Sequence, residues 1–103
     1  MQIWLNMPKL VRDKIPEIIK HNAQKSKTHI ANDTEYWQKL KEKLREECDE
    51  FIEAENEEEL ADILEVIDAI IKCKKFKSVE KIKLKKFKER GGFQKRIILE
   101  KVE

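Results

Sequence analysis

Residues 35–73 of the chain read EYWQKLKEKLREECDEFIEAENEEELADILEVIDAIIKC, and two apolar stripes at helical spacing run through them. The first stripe consists of Trp37, Leu40, Leu44, Cys48 and Phe51, and the second of Leu60, Ile63, Leu64, Ile67, Ile70 and Ile71. Side chains three, four or seven positions apart share one face of an α-helix. Each stripe therefore predicts one amphipathic helix, over about 35–54 and about 57–73.

Asn56 is the best candidate for the break between these two helices. An asparagine can end one helix in a left-handed conformation, and it can cap the next helix with Glu59 three residues later. An unbroken helix of about 40 residues would measure roughly 60 Å, which is too long for a compact domain of this size. We therefore expect an antiparallel helical hairpin.

Length and composition predict a single all-α domain over residues 1–103. Charged residues make up 43% of the chain and hydrophobic ones 40%, with only two Gly and two Pro. Pro16 fits the first turn of a short helix that ends near His21, and Ser78 is a plausible cap for a Lys-rich helix that ends at Gly91. The predicted fold is a hairpin core with short flanking helices and an extended C-terminal tail, in which residues 96–99 could form a short strand.

Residues 46–68 contain twelve acidic side chains and no Lys or Arg. Within this segment Glu47 and Glu50 form one pair at positions i and i+3, and Glu59 and Asp62 form a second. On a helix such a pair points the same way, so the hairpin would bring four carboxylates together. Four carboxylates repel one another unless a cation joins them, and oxygen-only ligands suit Mg²⁺ or Mn²⁺.

A helical wheel places Glu47 and Glu59 beside the apolar stripes, with Glu50 and Asp62 further out on the matching flank. Glu46 points almost directly away from the stripe. The alternative interpretation is ordinary helix surface, in which Glu59 only closes a capping box on Asn56 and Glu50 is solvated.

Two segments resemble a known family. KLREECDEF (43–51) and EELADILEV (58–66) are similar to the all-α nucleoside triphosphate pyrophosphohydrolases, a MazG-like group that includes phosphoribosyl-ATP pyrophosphohydrolase and the dimeric dUTPases. That family carries ExxE on one helix and ExxD on the next, holding Mg²⁺. KLVRDKIP (9–16) and RGGFQKR (90–96) resemble its small, phosphoribosyl-ATP pyrophosphohydrolase-like members.

The resemblance implies a MazG-like helical bundle and Mg²⁺-dependent cleavage of a nucleoside triphosphate to monophosphate and pyrophosphate, with Mn²⁺ as a possible substitute. By position, the metal ligands would be Glu47, Glu50, Glu59 and Asp62. Glu46 or Glu50 would take a proton from the attacking water. The expected contacts to substrate phosphates are Lys9, Arg12, Lys14, Lys88, Arg90, Lys95 and Arg96.

The second acidic pair departs from the family pattern, because only residues 51–58 separate Glu50 from Glu59 where the family has a longer gap. Glu65 and Asp68 would restore a more usual gap, but Glu65 points away from the apolar stripe. The Leu-Ala-Asp context and the wheel favour Glu59 and Asp62.

Two other functions stay open. One is the sister substrate, phosphoribosyl-ATP of histidine biosynthesis. The other is a non-catalytic helical interaction module that binds nucleic acid through residues 72–90, which hold ten Lys or Arg and two Glu. The acidic middle of the chain argues against nucleic acid, since it repels phosphates unless a metal ion lies between them.

The expected partners are a nucleotide substrate and a second copy of the chain, in a homodimer or larger homo-oligomer, because a hairpin this small leaves apolar surface uncovered. No apolar run approaches the roughly 20 residues that span a membrane. Cys48 and Cys73 are far apart in sequence, and no signal peptide is recognisable, so the predicted compartment is the cytoplasm.

Overall fold

The structure, a computed structural model, describes residues 8–103 and contains four α-helices in that range. They are α1 (Ile15–His21), α2 (Asp33–Ala54), α3 (Glu57–Lys74) and α4 (Val79–Arg90). No strand occurs within residues 8–103, and the predicted tail after α4 is irregular rather than a strand. The all-α prediction is confirmed; residues 1–7 of the predicted domain lie outside the described part.

Local capping sets the bounds of the two long helices. The side chain of Asn32 accepts a hydrogen bond of 2.9 Å from the backbone N–H of Glu35, and Asn56 accepts one of 2.9 Å from that of Glu59. Between the helices, Glu55 has a φ of 53° and is left-handed, whereas Asn56 is extended. The break lies at the predicted residues, but Glu55 rather than Asn56 ends α2 in the left-handed conformation, because Asn56 has to be extended to cap α3.

α2 and α3 pack against each other as an antiparallel hairpin. Near the open end, the Lys74 ammonium of α3 lies 4.3 Å from the centroid of the Trp37 ring of α2, a cation–π contact. In the interface between α2 and α3, Leu40 is 1% exposed and Val66 is 8% exposed, and these are the two buried apolar residues of the described chain. Two helices alone can cover little more, so the hairpin core is small.

Residues 8–12, which we name the N-terminal strap, cross both helices of the hairpin. Lys39 of α2 donates a hydrogen bond of 3.0 Å to the carbonyl of Pro8. At the other end of the strap, the Arg12 guanidinium donates one of 2.9 Å to Asp62 of α3. The strap therefore adds a layer to the hairpin that the apolar stripes alone did not predict.

The strap adds a contact that the helical wheel did not describe. Glu46 was expected to point almost directly away from the apolar stripe, and it is nevertheless only 3% exposed. The wheel considered contacts with α3 alone, whereas Lys9 of the strap covers the Glu46 carboxylate from outside the hairpin.

α4 and the tail leave much apolar surface uncovered. No residue of α4 is buried, and the radius of gyration is 17.8 Å, against roughly 13 Å for a compact domain of this length. The large exposed side chains of this region are Phe76, Ile82, Leu84, Phe87, Phe93, Ile97, Ile98, Leu99 and Val102. Among the described residues, no helix combines the length and hydropathy that a membrane crossing requires.

Glycine substitution at two nearby glutamates should change stability in opposite directions. Glu55→Gly removes the steric cost of a left-handed side-chain-bearing residue and should stabilise the fold by about 1 kcal/mol. Glu53→Gly removes the same charge from an exposed position in the last turn of α2, where glycine relieves no left-handed strain and costs backbone entropy, so it should destabilise the fold by up to roughly 0.5–1 kcal/mol. Thermal unfolding monitored by circular dichroism measures both, and a lower Tm for Glu55→Gly than for the parent protein would contradict this account of the turn.

Candidate metal centre

Three carboxylates meet at the closed end of the hairpin. Glu47 and Glu50 come from the last turns of α2 and Glu59 from the first turn of α3, and one oxygen of each lies within 4.8 Å of the others. The i, i+3 spacing aligns the first two, and the Asn56 cap fixes where α3 begins, so that Glu59 faces them across the turn.

Two oxygens of this group are buried and have no hydrogen-bond partner within residues 8–103, namely Oε2 of Glu47 and Oε2 of Glu59. The Glu47 residue as a whole is only 5% exposed. An unpaired buried carboxylate oxygen costs more than an ordinary lost hydrogen bond, and charged groups are seldom buried without a partner or a metal. The fold therefore positions two acceptors that the described residues do not satisfy.

The electrostatics of the cluster are those of crowded carboxylates. Burial raises the pKa of Glu47; Lys43 opposes this effect, and the charges of Glu50 and Asp62 add to it. Burial also raises the pKa of Glu50, helped by the charge of Glu46 and, more weakly, by that of Glu59. At neutral pH the ionised cluster therefore opposes folding, and a bound cation would relieve that cost.

The fourth predicted ligand, Asp62, lies at the edge of the cluster and is engaged elsewhere. Its carboxylate accepts the 2.9 Å hydrogen bond from Arg12, and Glu65 lies 3.6 Å from the same guanidinium. Glu65 and Asp68 are exposed, and it is Glu59 that joins the pair on α2. Glu59 also shows that capping and clustering are compatible, because Asn56 uses only its backbone N–H.

Glu46, predicted as one of two proton acceptors, has both oxygens on ammonium groups. Oε1 lies 3.4 Å from Lys9, and Oε2 lies 3.0 Å from Lys43. An acceptor of a water proton needs a free oxygen within hydrogen-bond reach, so the geometry favours Glu50 over Glu46 for that role.

Lys43 is the residue that sequence reasoning missed. Its ammonium bridges Glu46 Oε2 at 3.0 Å and Glu47 Oε1 at 3.2 Å, and its side chain is 17% exposed. Burial lowers the pKa of Lys43, but the hydrogen bonds and charges of Glu46 and Glu47 outweigh that effect and the pKa is raised. The available signal was spacing, because a lysine three and four residues before two glutamates reaches both on a helix.

The predicted phosphate contacts divide into two groups. Lys9 and Arg12 of the strap touch carboxylates of the hairpin, and Lys14 is exposed just before α1. The remaining four are exposed on α4 and the tail, and within residues 8–103 no ion pair or hydrogen bond links them to the hairpin; they are Lys88, Arg90, Lys95 and Arg96. The structure does not bring this second group to the carboxylates of the same chain.

Comparisons of the chain with protein-family models, with curated proteins and with solved structures found no significant match. The MazG-like resemblance therefore remains a prediction based on the four motifs quoted above.

Removing the charge of Glu50 should stabilise the metal-free protein at neutral pH. Its pKa is raised in the folded state, so the fold favours the protonated form, and stability is lost as pH rises through the folded pKa. We expect Glu50→Gln to have a higher Tm than the parent protein at pH 7 in EDTA, because the amide carries no charge to desolvate. The gain should shrink towards pH 4, where the parent carboxyl is neutral as well.

Glu53→Gln is the matched control, because it removes one negative charge from the exposed face of the same helix. Differential scanning calorimetry from pH 4 to pH 8 compares the three proteins. An equal rise in Tm for both variants at every pH would show that the effect comes from net charge and not from the location of Glu50 in the cluster.

Proposed function

We propose that this protein is a Mg²⁺-dependent pyrophosphohydrolase of the MazG-like type, which cleaves a nucleoside triphosphate between the α and β phosphates. The observation that carries the proposal is the pair of buried, unpartnered oxygens on Glu47 and Glu59 within a group of three carboxylates. Ordinary helix surface would leave such oxygens in water, whereas a cation site requires them to be free.

The donor set fits Mg²⁺ or Mn²⁺. It consists of carboxylate oxygens alone, which hard cations prefer, and it contains no sulfur or imidazole. Two oxygens on one Mg²⁺ are separated by at most about 4.2 Å, because each bond is about 2.1 Å long. Side chains whose oxygens already lie within 4.8 Å reach that separation by small rotations. Glu47, Glu50 and Glu59 would hold the ion, with Asp62 joining when Arg12 releases it.

A divalent ion held there would supply neutralisation of the triphosphate charge and polarisation of the reacting phosphate. Glu50 is suited to take the proton of the attacking water, because no ion pair among the described residues occupies its carboxylate and one oxygen can stay free while the other holds the ion. The new bond forms between the water oxygen and the α-phosphorus, the bond from that phosphorus to the bridging oxygen breaks, and pyrophosphate leaves.

The strap is the best placed source of phosphate contacts within one chain. Arg12 lies beside Asp62, and its planar guanidinium can bind two phosphate oxygens at once. Lys14 is exposed two residues further along. The basic residues of α4 and the tail would reach a substrate only from a second subunit or after a rearrangement.

A second copy of the chain is the partner that we propose. The hairpin has two buried apolar residues, while Leu60 and Leu64 on α3 are 45% and 57% exposed. A domain of this size seldom gains enough stability from so small a core, and association of identical chains commonly completes it. The free thiols Cys48 and Cys73 fit the reducing cytoplasm, where we expect the enzyme to work.

The reaction is tested with purified protein, Mg²⁺ and a panel of ribo- and deoxyribonucleoside triphosphates together with phosphoribosyl-ATP. We expect pyrophosphate and monophosphate in equal amounts and no turnover in EDTA. For Glu47→Gln we expect kcat to fall by about 100-fold or more, since the variant lacks one ligand of the ion that would stabilise the transition-state charge. Glu53→Gln should keep the parent rate.

The substrate turned over with the highest kcat/KM separates a general triphosphatase from a phosphoribosyl-ATP enzyme. Absence of turnover across the panel with both Mg²⁺ and Mn²⁺ would refute the proposed activity. Salt-sensitive binding to nucleic acid without any need for Mg²⁺ would then favour the interaction module.

The oligomeric state is tested by light scattering coupled to size exclusion. We expect a mass of at least twice the 12.4 kDa of one chain. Leu64→Asp places a charge on the exposed face of α3 and should shift the protein towards monomer. Ile30→Asp is the control, because Ile30 is 96% exposed in the loop before α2 and its replacement should leave the mass unchanged. A monomeric parent protein at 100 µM would contradict the proposed partner.

A further inference from the structure

We propose that Lys43 is a positioning residue for the cation site: it holds one carboxylate oxygen of Glu47 and leaves the other free to bind the ion. This inference rests on the metal site of the proposed function and assigns a role to a residue outside the acidic motifs.

Lys43 belongs to a connected series of ion pairs. Its ammonium lies 3.2 Å from Glu47 Oε1 and 3.0 Å from Glu46 Oε2. Glu46 is held in turn by Lys9 of the strap at 3.4 Å. Glu46 and Glu47 are 3% and 5% exposed, and the Lys43 side chain is 17% exposed, so water competes weakly for the two contacts of Lys43. The Lys9 side chain is 42% exposed, so the contact from the strap is open to solvent on one side.

The two oxygens of Glu47 have different surroundings. Oε1 forms an ion pair with the Lys43 ammonium, whereas Oε2 is buried without a hydrogen-bond partner among residues 8–103. A free glutamate side chain rotates about three bonds and loses conformational entropy when it binds an ion. Groups that hold a ligand by its second atom set its orientation before the ion arrives, and their loss typically weakens metal affinity by about 10–100-fold.

The charge of Lys43 and its positioning role predict opposite changes in cation affinity when Lys43 is replaced. A lysine ammonium beside the site repels a divalent cation, so a purely electrostatic role predicts tighter binding when the charge is lost. A positioning role predicts weaker binding, because Glu47 becomes free to turn its carboxylate away. The sign of the change therefore separates the two effects.

The experiment is isothermal titration of the full chain with Mn²⁺ and Mg²⁺ at pH 8, where protonation of Glu47 contributes little. We expect Lys43→Met to raise the Kd by about 10–100-fold. Lys43→Gln keeps an amide donor without the charge and should lie between Lys43→Met and the parent. Arg45→Met is the matched control, since it removes a positive charge from an exposed position on the same helix. It should leave the Kd unchanged or slightly lower.

Thermal unfolding in EDTA is measured in parallel to confirm that each variant is folded at the titration temperature. If Lys43→Met does not fold, Lys43→Gln decides the question with the same expected sign. An unchanged or lower Kd in the folded lysine variant overturns the positioning role while the metal site stands. A parent protein that shows no saturable cation binding refutes the metal site itself, and the assignment of Lys43 with it.

Discussion

Like charges crowded at one end of the hairpin are the constraint on which the rest of this structure depends. The turn between α2 and α3 brings Glu47, Glu50 and Glu59 together, and burial raises the pKa of Glu47 and of Glu50, so ionising these two carboxylates costs more in the folded chain. The chain offsets this cost only in part. Lys43 pairs with one oxygen of Glu47, whereas one buried oxygen each of Glu47 and Glu59 has no hydrogen-bond partner in the described part of the chain. Such incomplete compensation is what a site for a divalent cation requires.

The N-terminal strap adds a second layer to the hairpin. It supplies the cations that the acidic segment lacks, because Lys9 covers Glu46 and Arg12 covers Asp62. These pairs tie the strap to both helices without a large apolar interface. Both side chains of the Arg12 pair are partly exposed, whereas Glu46 in the Lys9 pair is buried, so water screens the Arg12 pair from both sides. The Arg12 contact is therefore the easier one to exchange for a phosphate or for an ion at Asp62.

The small size of the apolar core affects the stability of the whole chain. Leu40 and Val66 are the buried apolar residues, while α4 and the tail present Ile82, Phe87 and Ile97 to solvent. A chain built in this way gains stability from whatever covers those faces. A second copy would cover them and could also carry the basic residues of α4 and the tail towards the carboxylates of its neighbour.

The helices and the position of the turn could be predicted from sequence because their causes are local. The apolar stripes repeat at helical spacing, Asn32 and Asn56 are strong caps, and the Glu47 and Glu50 pair follows from i, i+3 geometry. The left-handed residue was misplaced by one position, since Glu55 takes that conformation and frees Asn56 to cap α3.

The burial of Glu46 and the engagement of Asp62 by Arg12 could not be predicted in the same way. Each depends on which atoms a distant segment brings into reach: the strap and α3 are separated by 50 residues at the Arg12 pair. A helical wheel describes the directions of side chains on one helix. Which basic residue pairs with a given carboxylate also depends on how several elements pack together. For this chain, local periodicity was sufficient to foresee a helical hairpin with acidic pairs, and only the packing of strap on hairpin showed which carboxylate oxygens are left free.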